Sequence, residues 1–333
     1  MHPAIQGIIT IVLGVGGCVG YFYFSNLILD KVIFPASGSN IGRNINRANL
    51  IRPWLFLGPA FLALGLYLAY PVYETMRLSL IDRDAGNAFV GLANYKQMVG
   101  EPKFWEALRN NFLWLLIVPA AATAFGLLAA QLTDRISWGN LAKSLIFMPM
   151  AISFVGAGVI WKLVYETRPA DAEQIGILNA LYIYFGGTDP QTWLTIPFWN
   201  NFFLMIVLVW IQTGFAMVIL SAAIRGIPED TIEAAIIDGA GPFQIFFKIK
   251  VPQIMGTILV VWTTVTLVVL KVFDIVFAMT NGQWETQVLA NYMFDKLFRA
   301  NDWGIGSASA MVIMLLVTPI LVWNVVNARR ELR

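Results

Sequence analysis

The groups able to do chemistry in this sequence are few and unevenly placed. His2 is the only histidine and Cys18 the only cysteine, so neither a Cys/His metal site nor an intrachain disulfide is expected. The polar residues with a readable pattern gather in Glu233–Pro252, EAAIIDGAGPFQIFFKIKVP. Their chemistry is binding rather than catalysis. Pro228 suits a first helical turn, and Glu229 and Asp230 complement the positive end of that helix. Asp230 and Glu233 have the spacing of a capping box. Ile232, Ala235 and Ile236 share one face. Gly239 and Gly241-Pro242 then stop the helix. Small residues at Ala234, Ala235, Gly239 and Ala240 leave room for another backbone. Such a short helix suits a groove on a partner; an ordinary interfacial helix is the alternative.

The elements that position this segment are read from composition. Hydrophobic residues make up 58% of the 333 residues and charged residues 13%, about half the charge of a soluble domain. Mean hydropathy is +0.68. A membrane helix needs about 20 mostly apolar residues. Seven charge-free runs meet that need: Pro3–Leu29, Pro53–Tyr73, Asn110–Thr133, Ser144–Trp161, Pro190–Ile224, Val251–Leu270 and Trp303–Ala328. Backbone in lipid must satisfy its own hydrogen bonds, so each run is expected to be a helix. The expected fold class is therefore all-α, a polytopic membrane protein of about seven transmembrane helices. Pro3–Leu29 lacks preceding Lys or Arg and reads as a retained helix, not a signal peptide. Its Gly14, Gly16, Gly17 and Gly20 allow close helix packing. A net charge of +2 implies no nucleic-acid partner.

Charge distribution sets a direction. The loops 31–52, 134–143, 225–250 and 329–333 hold twelve Lys or Arg, and the opposite loops 82–109, 166–199 and 280–302 hold seven. The first set is expected inside, with the N-terminus outside and the C-terminus cytoplasmic. Phe104, Trp105 and Leu108 read as a short amphipathic surface helix. The three outer segments read as connecting loops or as a docking surface for an external partner. Lys271 and Asp274 are three apart near a helix end and read as a structural pair. The linker PASGSNIGRNINR sets a boundary after Arg52, giving an N-terminal helix and linker over 1–52 and a six-helix domain over 53–333.

Glu233-Ala234-Ala235, three residues, Gly239, nine residues, then Ile249-x-Val251-Pro252 resembles the EAA signature of binding-protein-dependent ABC importer permeases. Val251 replaces the usual Leu. IPEDTIEAAIIDGAGPFQIFFKIKVP, FVGLANYKQMV, FWEALRNNFLW and MTNGQWET are similar to segments of the carbohydrate-uptake, maltose-type branch. The resemblance covers roughly residues 53–327. The form of residues 1–52 resembles alpha-glucoside permeases.

This resemblance implies a type I importer permease fold with a cytoplasmic coupling helix in segment 228–252, set in a bacterial inner membrane. It implies a second permease subunit, a cytoplasmic ABC ATPase dimer and an extracytoplasmic solute-binding protein as partners, besides membrane lipid. ATP and Mg would be used by the ATPase and no cofactor held by this chain, which is not itself an enzyme; no GxxxxGK[ST] loop occurs. Glu233, Ala234, Ala235, Asp238, Gly239 and Pro252 would form the ATPase-coupling site. Trp210, Gln212, Thr213 and Phe215, with Thr263, Thr264 and Thr266, are the substrate-path residues it points to. Threonines in membrane helices also bond their own backbone, and aromatic residues often only pack. Unlike maltose-type permeases, Thr266–Leu270 carries no Asn or Phe. The solute is expected to be an alpha-glucoside or related oligosaccharide. An ion- or proton-coupled secondary sugar transporter is the alternative, disfavoured because the middles of all seven runs lack Asp and Glu. A membrane enzyme is disfavoured by the single His and Cys, and a non-transporting scaffold stays open.

Overall fold

The computed structural model describes residues 3–35, 41–83, 85–134 and 136–331. His2, linker residues 36–40, Arg135 and Arg333, used above, lie outside this set. In chain order the helices are α1 (Pro3–Ile28), α2 (Ile41–Leu64), α3 (Tyr70–Ser79), α4 (Ala93–Gly100), α5 (Pro102–Thr133), α6 (Gly139–Phe147), α7 (Phe154–Val164) and α8 (Ile177–Tyr184). There follow α9 (Trp199–Arg225), α10 (Glu229–Ile237), α11 (Pro242–Gln244), α12 (Val251–Gln253), α13 (Met255–Leu270), α14 (Asp274–Met279), α15 (Leu289–Phe294) and α16 (Trp303–Glu331). Among the described residues the only strands are Ile81–Asp82 and Ala88–Phe89, paired antiparallel.

Five of these stretches are long and apolar enough to cross a membrane: Pro3–Ile33, Ile41–Ser79, Pro102–Thr133, Trp199–Arg225 and Trp303–Trp323. Two more are bent pairs, Gly139–Ala151 with Phe154–Val164 at 106° and Pro242–Gln253 with Met255–Leu270 at 71°. Counting each pair once gives the seven expected spans. The runs Ser144–Trp161 and Val251–Leu270 are thus broken rather than straight. At the first break, Pro149 lies in a 3-10 turn and Ser153 caps the new helix, its Oγ accepting from Gly156 N at 3.1 Å.

The chain divides into compact units at residues 1–74 and 75–333, not after Arg52. In the first unit α2 runs through Arg52 without a break. Arg52 pairs with Asp30 at 2.6 Å and bonds Asn49 at 3.0 Å. Residues 41–52 are therefore helix where a linker was expected.

In the second unit Trp114, Val118 and Ala122 of α5 meet Leu204, Leu208 and Ile211 of α9 and Val261, Val265 and Val269 of α13. These rows repeat every three or four residues, the spacing of ridges along one helix face. Lipid is as apolar as these side chains, so the contact rests on close van der Waals fit. Gly126 sets the fit: a Cβ there would lie 2.4 Å from the Ala216 Cβ. A second cluster joins Met98, Phe104 and Ala107 to Leu289, Tyr292, Ile305 and Ala308. Phe104, Trp105 and Leu108 belong to the first turns of α5, not to a separate surface helix. With 32 residues, α5 extends for about 48 Å at 1.5 Å per residue.

Gly126→Val is expected to lower unfolding stability in detergent by about 1–3 kcal/mol, the cost of overpacking a close contact. Gly7→Val, in α1, has open space around its Cβ and is expected to leave the melting temperature unchanged.

Candidate functional site

The segment between α9 and α13 is built to stand away from the bundle. After Arg225 the chain turns at Gly226, and α10 starts with Pro228 at its N-cap. The expected capping box at Asp230 and Glu233 is absent; no side chain caps α10. The equivalent bond closes the next helix, where Gly241 N donates to Gln244 Oε1 at 3.0 Å. The stop at Gly239 is as read from the sequence, with φ at +80°. Ala240 N donates to Ala235 O at 2.9 Å and Gly239 N to Ile236 O at 3.0 Å, the two bonds of a Schellman ending.

One face of α10 is anchored and the rest is bare. Ala235 is buried and Ile232 half-buried, while Glu233, Ala234, Ile236, Ile237 and Asp238 are exposed. Ile236 therefore leaves the face it was expected to share. Ile237 is 85% exposed and Phe243 80%, an apolar tip with no cover among the described residues. Glu233 makes no ion pair among the described residues. Beyond α11 a π-helical stretch, Ile245–Lys250, returns the chain to α12. Pro252 lies in α12, before the 71° bend, so the longer limb of this bent span begins at Met255.

The structure separates the substrate-path residues into two groups. Trp210 and Thr213 line a cavity of about 1070 Å³ with Phe125, Leu128, Trp161 and Phe202. Trp161 and Trp210 meet edge-on at 5.7 Å. The lining is almost wholly apolar, which leaves sugar hydroxyls unpaired. Gln212 and Phe215 do not line it. They share a helical face with Leu208, and Leu208 lines a second cavity of about 280 Å³. Gln212 is buried with no hydrogen bond among the described residues.

The second cavity lies at a break in the membrane helix. α13 stops at Leu270 and α14 begins at Asp274. Lys271, Phe273 and Asp274 line the cavity with Phe154, Leu208 and Val268. Lys271 and Asp274 form no ion pair among the described residues, so the expected structural pair is not made. The break separates them. Thr264 shares the face of Val268 and Lys271, whereas Thr263 and Thr266 are buried. Each of the three threonines donates to its own helix, Thr263 and Thr264 to Val260 O at 3.0 and 2.8 Å and Thr266 to Trp262 O at 2.8 Å.

Sequence reading missed two polar clusters. At one, Asn281, Trp284 and Glu285 have φ of 53°, 52° and 61°, strained for residues with side chains. Asn110 Nδ2 holds the turn by donating to Glu285 O and Gln287 O, both at 2.8 Å. Asn200 Nδ2 donates to Trp284 O and Asn201 Nδ2 to Glu285 O. The signal was the pair of Asn-Asn steps opening two apolar runs. The other cluster surrounds Asp134, where α5 and α9 end and α6 begins. Its Lys143 and Arg225 had been counted only as loop charge.

A family profile described as "Binding-protein-dependent transport system inner membrane component" matches residues 122–332. The chain belongs to this family of ABC importer permeases. It is 63% identical to the alpha-glucoside transport system permease protein AglF of Rhizobium meliloti (strain 1021), over 99% of each chain. It is 48% identical to the osmoprotective compounds uptake permease protein GgtC of Synechocystis sp., over 84% of this chain and all of that one. A chain of a bacterial ABC transporter that imports the acidic polysaccharide alginate shares the fold, with a TM-score of 0.73 and 19% identity, over 88% of this chain and 99% of that one. The protein is thus a multi-pass inner-membrane permease and not an enzyme. Nothing in these relatives supports the secondary-transporter alternative.

Gly239→Val is expected to cost about 1–2 kcal/mol through its left-handed backbone. Limited proteolysis should then cut residues 228–252 faster, while hydrogen exchange in α5 and α9 stays unchanged. Gly239→Asn, which tolerates this conformation, should restore protection.

Proposed function

We propose that this permease carries an alpha-glucoside or a related glucosylated solute across the membrane in an ATP-driven importer. The near full-length identity of 63% to an alpha-glucoside permease is the observation that carries this reading. The partners are a second permease subunit, a cytoplasmic ATPase dimer and an extracytoplasmic binding protein. The N-terminus lies outside and α10 faces the cytoplasm, in line with the Lys and Arg bias. The ATPase grips α10 through the bare tip at Ile236, Ile237 and Phe243, and Glu233 supplies a polar contact. ATP and Mg belong to that ATPase.

The solute path follows the smaller cavity. Gln212 is a buried polar group without a hydrogen-bond partner among the described residues, and polar groups inside a membrane bundle mark substrate routes. Lys271 and Asp274 add a donor and an acceptor at a discontinuous helix, a recurrent place for solute contact in transporters. Phe215 and Phe273 offer ring faces to sugar C–H groups, and Thr264 lies on the converging face. Trp210 and Thr213 face the apolar cavity and serve packing.

Reconstitution with the partner permease, ATPase and binding protein tests the reading. Uptake of a labelled alpha-glucoside should require ATP and binding protein; uptake on an ion gradient alone would refute it. Glu233→Lys should weaken ATPase association by roughly tenfold or more, the scale of an interface charge, with membrane insertion intact. Lys271→Ala and Asp274→Asn should each raise the half-saturating concentration of loaded binding protein or slow transport by roughly threefold to tenfold. ATPase association should not change in either variant.

A further inference from the structure

The coupling segment leaves the bundle after Arg225 and returns at Lys250, and both points are fastened to the same helical turn. At the departure, Arg225 Nε donates to Asp134 Oδ1 at 3.1 Å, and Ser221 Oγ donates to the same oxygen at 3.1 Å. Lys143 donates to Asp134 and, at 2.8 Å, to Ser221 Oγ. At the return, Lys250 Nζ donates to Gln131 Oε1 at 3.2 Å. Gln131 and Asp134 are three residues apart, in the last turn of α5 and its C-cap.

We propose that the last turn of α5, Gln131–Asp134, is the rigid mount through which the coupling segment drives the transmembrane bundle, with Asp134 as its positioning residue. This rests on the coupling role given to α10 above. A segment held at one end would swing about that end. Held at both ends on one turn, it passes its displacement to α5. Through the Gly126–Ala216 contact it passes it on to α9 as well.

The mount has the features of a structural joint rather than a surface ion pair. Exposed pairs contribute little. Here the Asp134 side chain is 17% exposed and that of Lys143 14%, Ser221 is buried between them, and Arg225, 59% exposed, joins this core from the surface. Burial opposes the charge on Asp134, yet hydrogen bonds from Lys143, Arg225 and Ser221 outweigh it and hold the carboxyl below its ordinary value. A depressed carboxylate contributes stability above its unfolded value and loses it as pH falls through the folded one. Between about pH 6 and 8, well above both values, the joint stays fully charged.

The test uses the reconstituted complex and reads solute moved per ATP hydrolysed. Asp134→Asn should leave ATPase association and hydrolysis in place and lower that ratio by roughly tenfold, the factor carried by one charge-assisted hydrogen bond. Asp134→Glu should restore it, and the ratio in the unsubstituted protein should be flat over the same pH range. An unchanged ratio in Asp134→Asn would overturn the proposal. Loss of ATPase association in Asp134→Asn would also overturn it, since the residue would then act on docking. Loss of association in Glu233→Lys alone leaves the coupling reading standing. A second measurement does not depend on the charge. In a Cys18→Ser background, Gln131→Cys and Lys250→Cys are bridged through two disulfides with a short bis-methanethiosulfonate. A rigid mount predicts retained transport after bridging; transport lost on bridging and regained on reduction would show that the joint opens, and the proposal fails.

Discussion

The close contact of α5 with α9 is the constraint on which the rest depends. Inside a bilayer, apolar side chains gain nothing by leaving lipid, so two helices stay together only where their surfaces fit. The missing side chain at Gly126 lets Ala216 approach, and the rows 114/118/122 and 204/208/211 pack together along the turns before that contact. That pairing brings the helix ends into register. At one end Asn110, Asn200 and Asn201 reach the same strained turn. At the other, Asp134 meets Ser221 and Arg225. The pair is apolar in the middle and tied by polar bonds at both ends.

Around this stiff pair the chain places its irregular parts. α13 packs on both helices and then breaks at residues 271–273, where charged groups line a small cavity. The segment between Arg225 and Lys250 hangs from the opposite end, its apolar tip at Ile237 and Phe243 exposed among the described residues. A mobile or exchangeable function needs such contrast, since a packed interior switches between arrangements rather than bending continuously. Both irregular parts, the broken helix at 271–273 and the segment after Arg225, lie where solute and partners are expected.

Much of this was legible in the sequence, and the exceptions have physical reasons. All seven apolar runs are found, because length and charge are local properties. Two of them are bent, because Pro149, Ser153 and Ile254 redirect the chain without changing its hydropathy. Gly239 was legible as a stop because φ near +80° favours glycine. The capping box at Asp230 failed because spacing alone does not orient a side chain. The threonines behave as membrane threonines do, donating to their own helices. Trp210 and Gln212 are two residues apart, yet Trp210 lines the large apolar cavity and Gln212 is buried away from it, which only the packing of α9 decides. The bonds from Asn110 to the turn at 285–287 and from Asp134 to Arg225 join residues far apart in sequence. The Asn-Asn steps mark polar groups at two helix starts, but no local pattern names the partners of Asn110 or Asp134.

The sharp bend between α6 and α7 also bears on how the protein enters its membrane. Its limbs, Gly139–Ala151 and Phe154–Val164, have 13 and 11 residues, each short of the ~20 that a lone spanning helix needs. Neither is a self-sufficient insertion signal. The limbs lean on α9 and α14, which emerge from the ribosome later. Integration of this stretch is therefore a late event in biogenesis, completed only when downstream chain has been made and has come alongside.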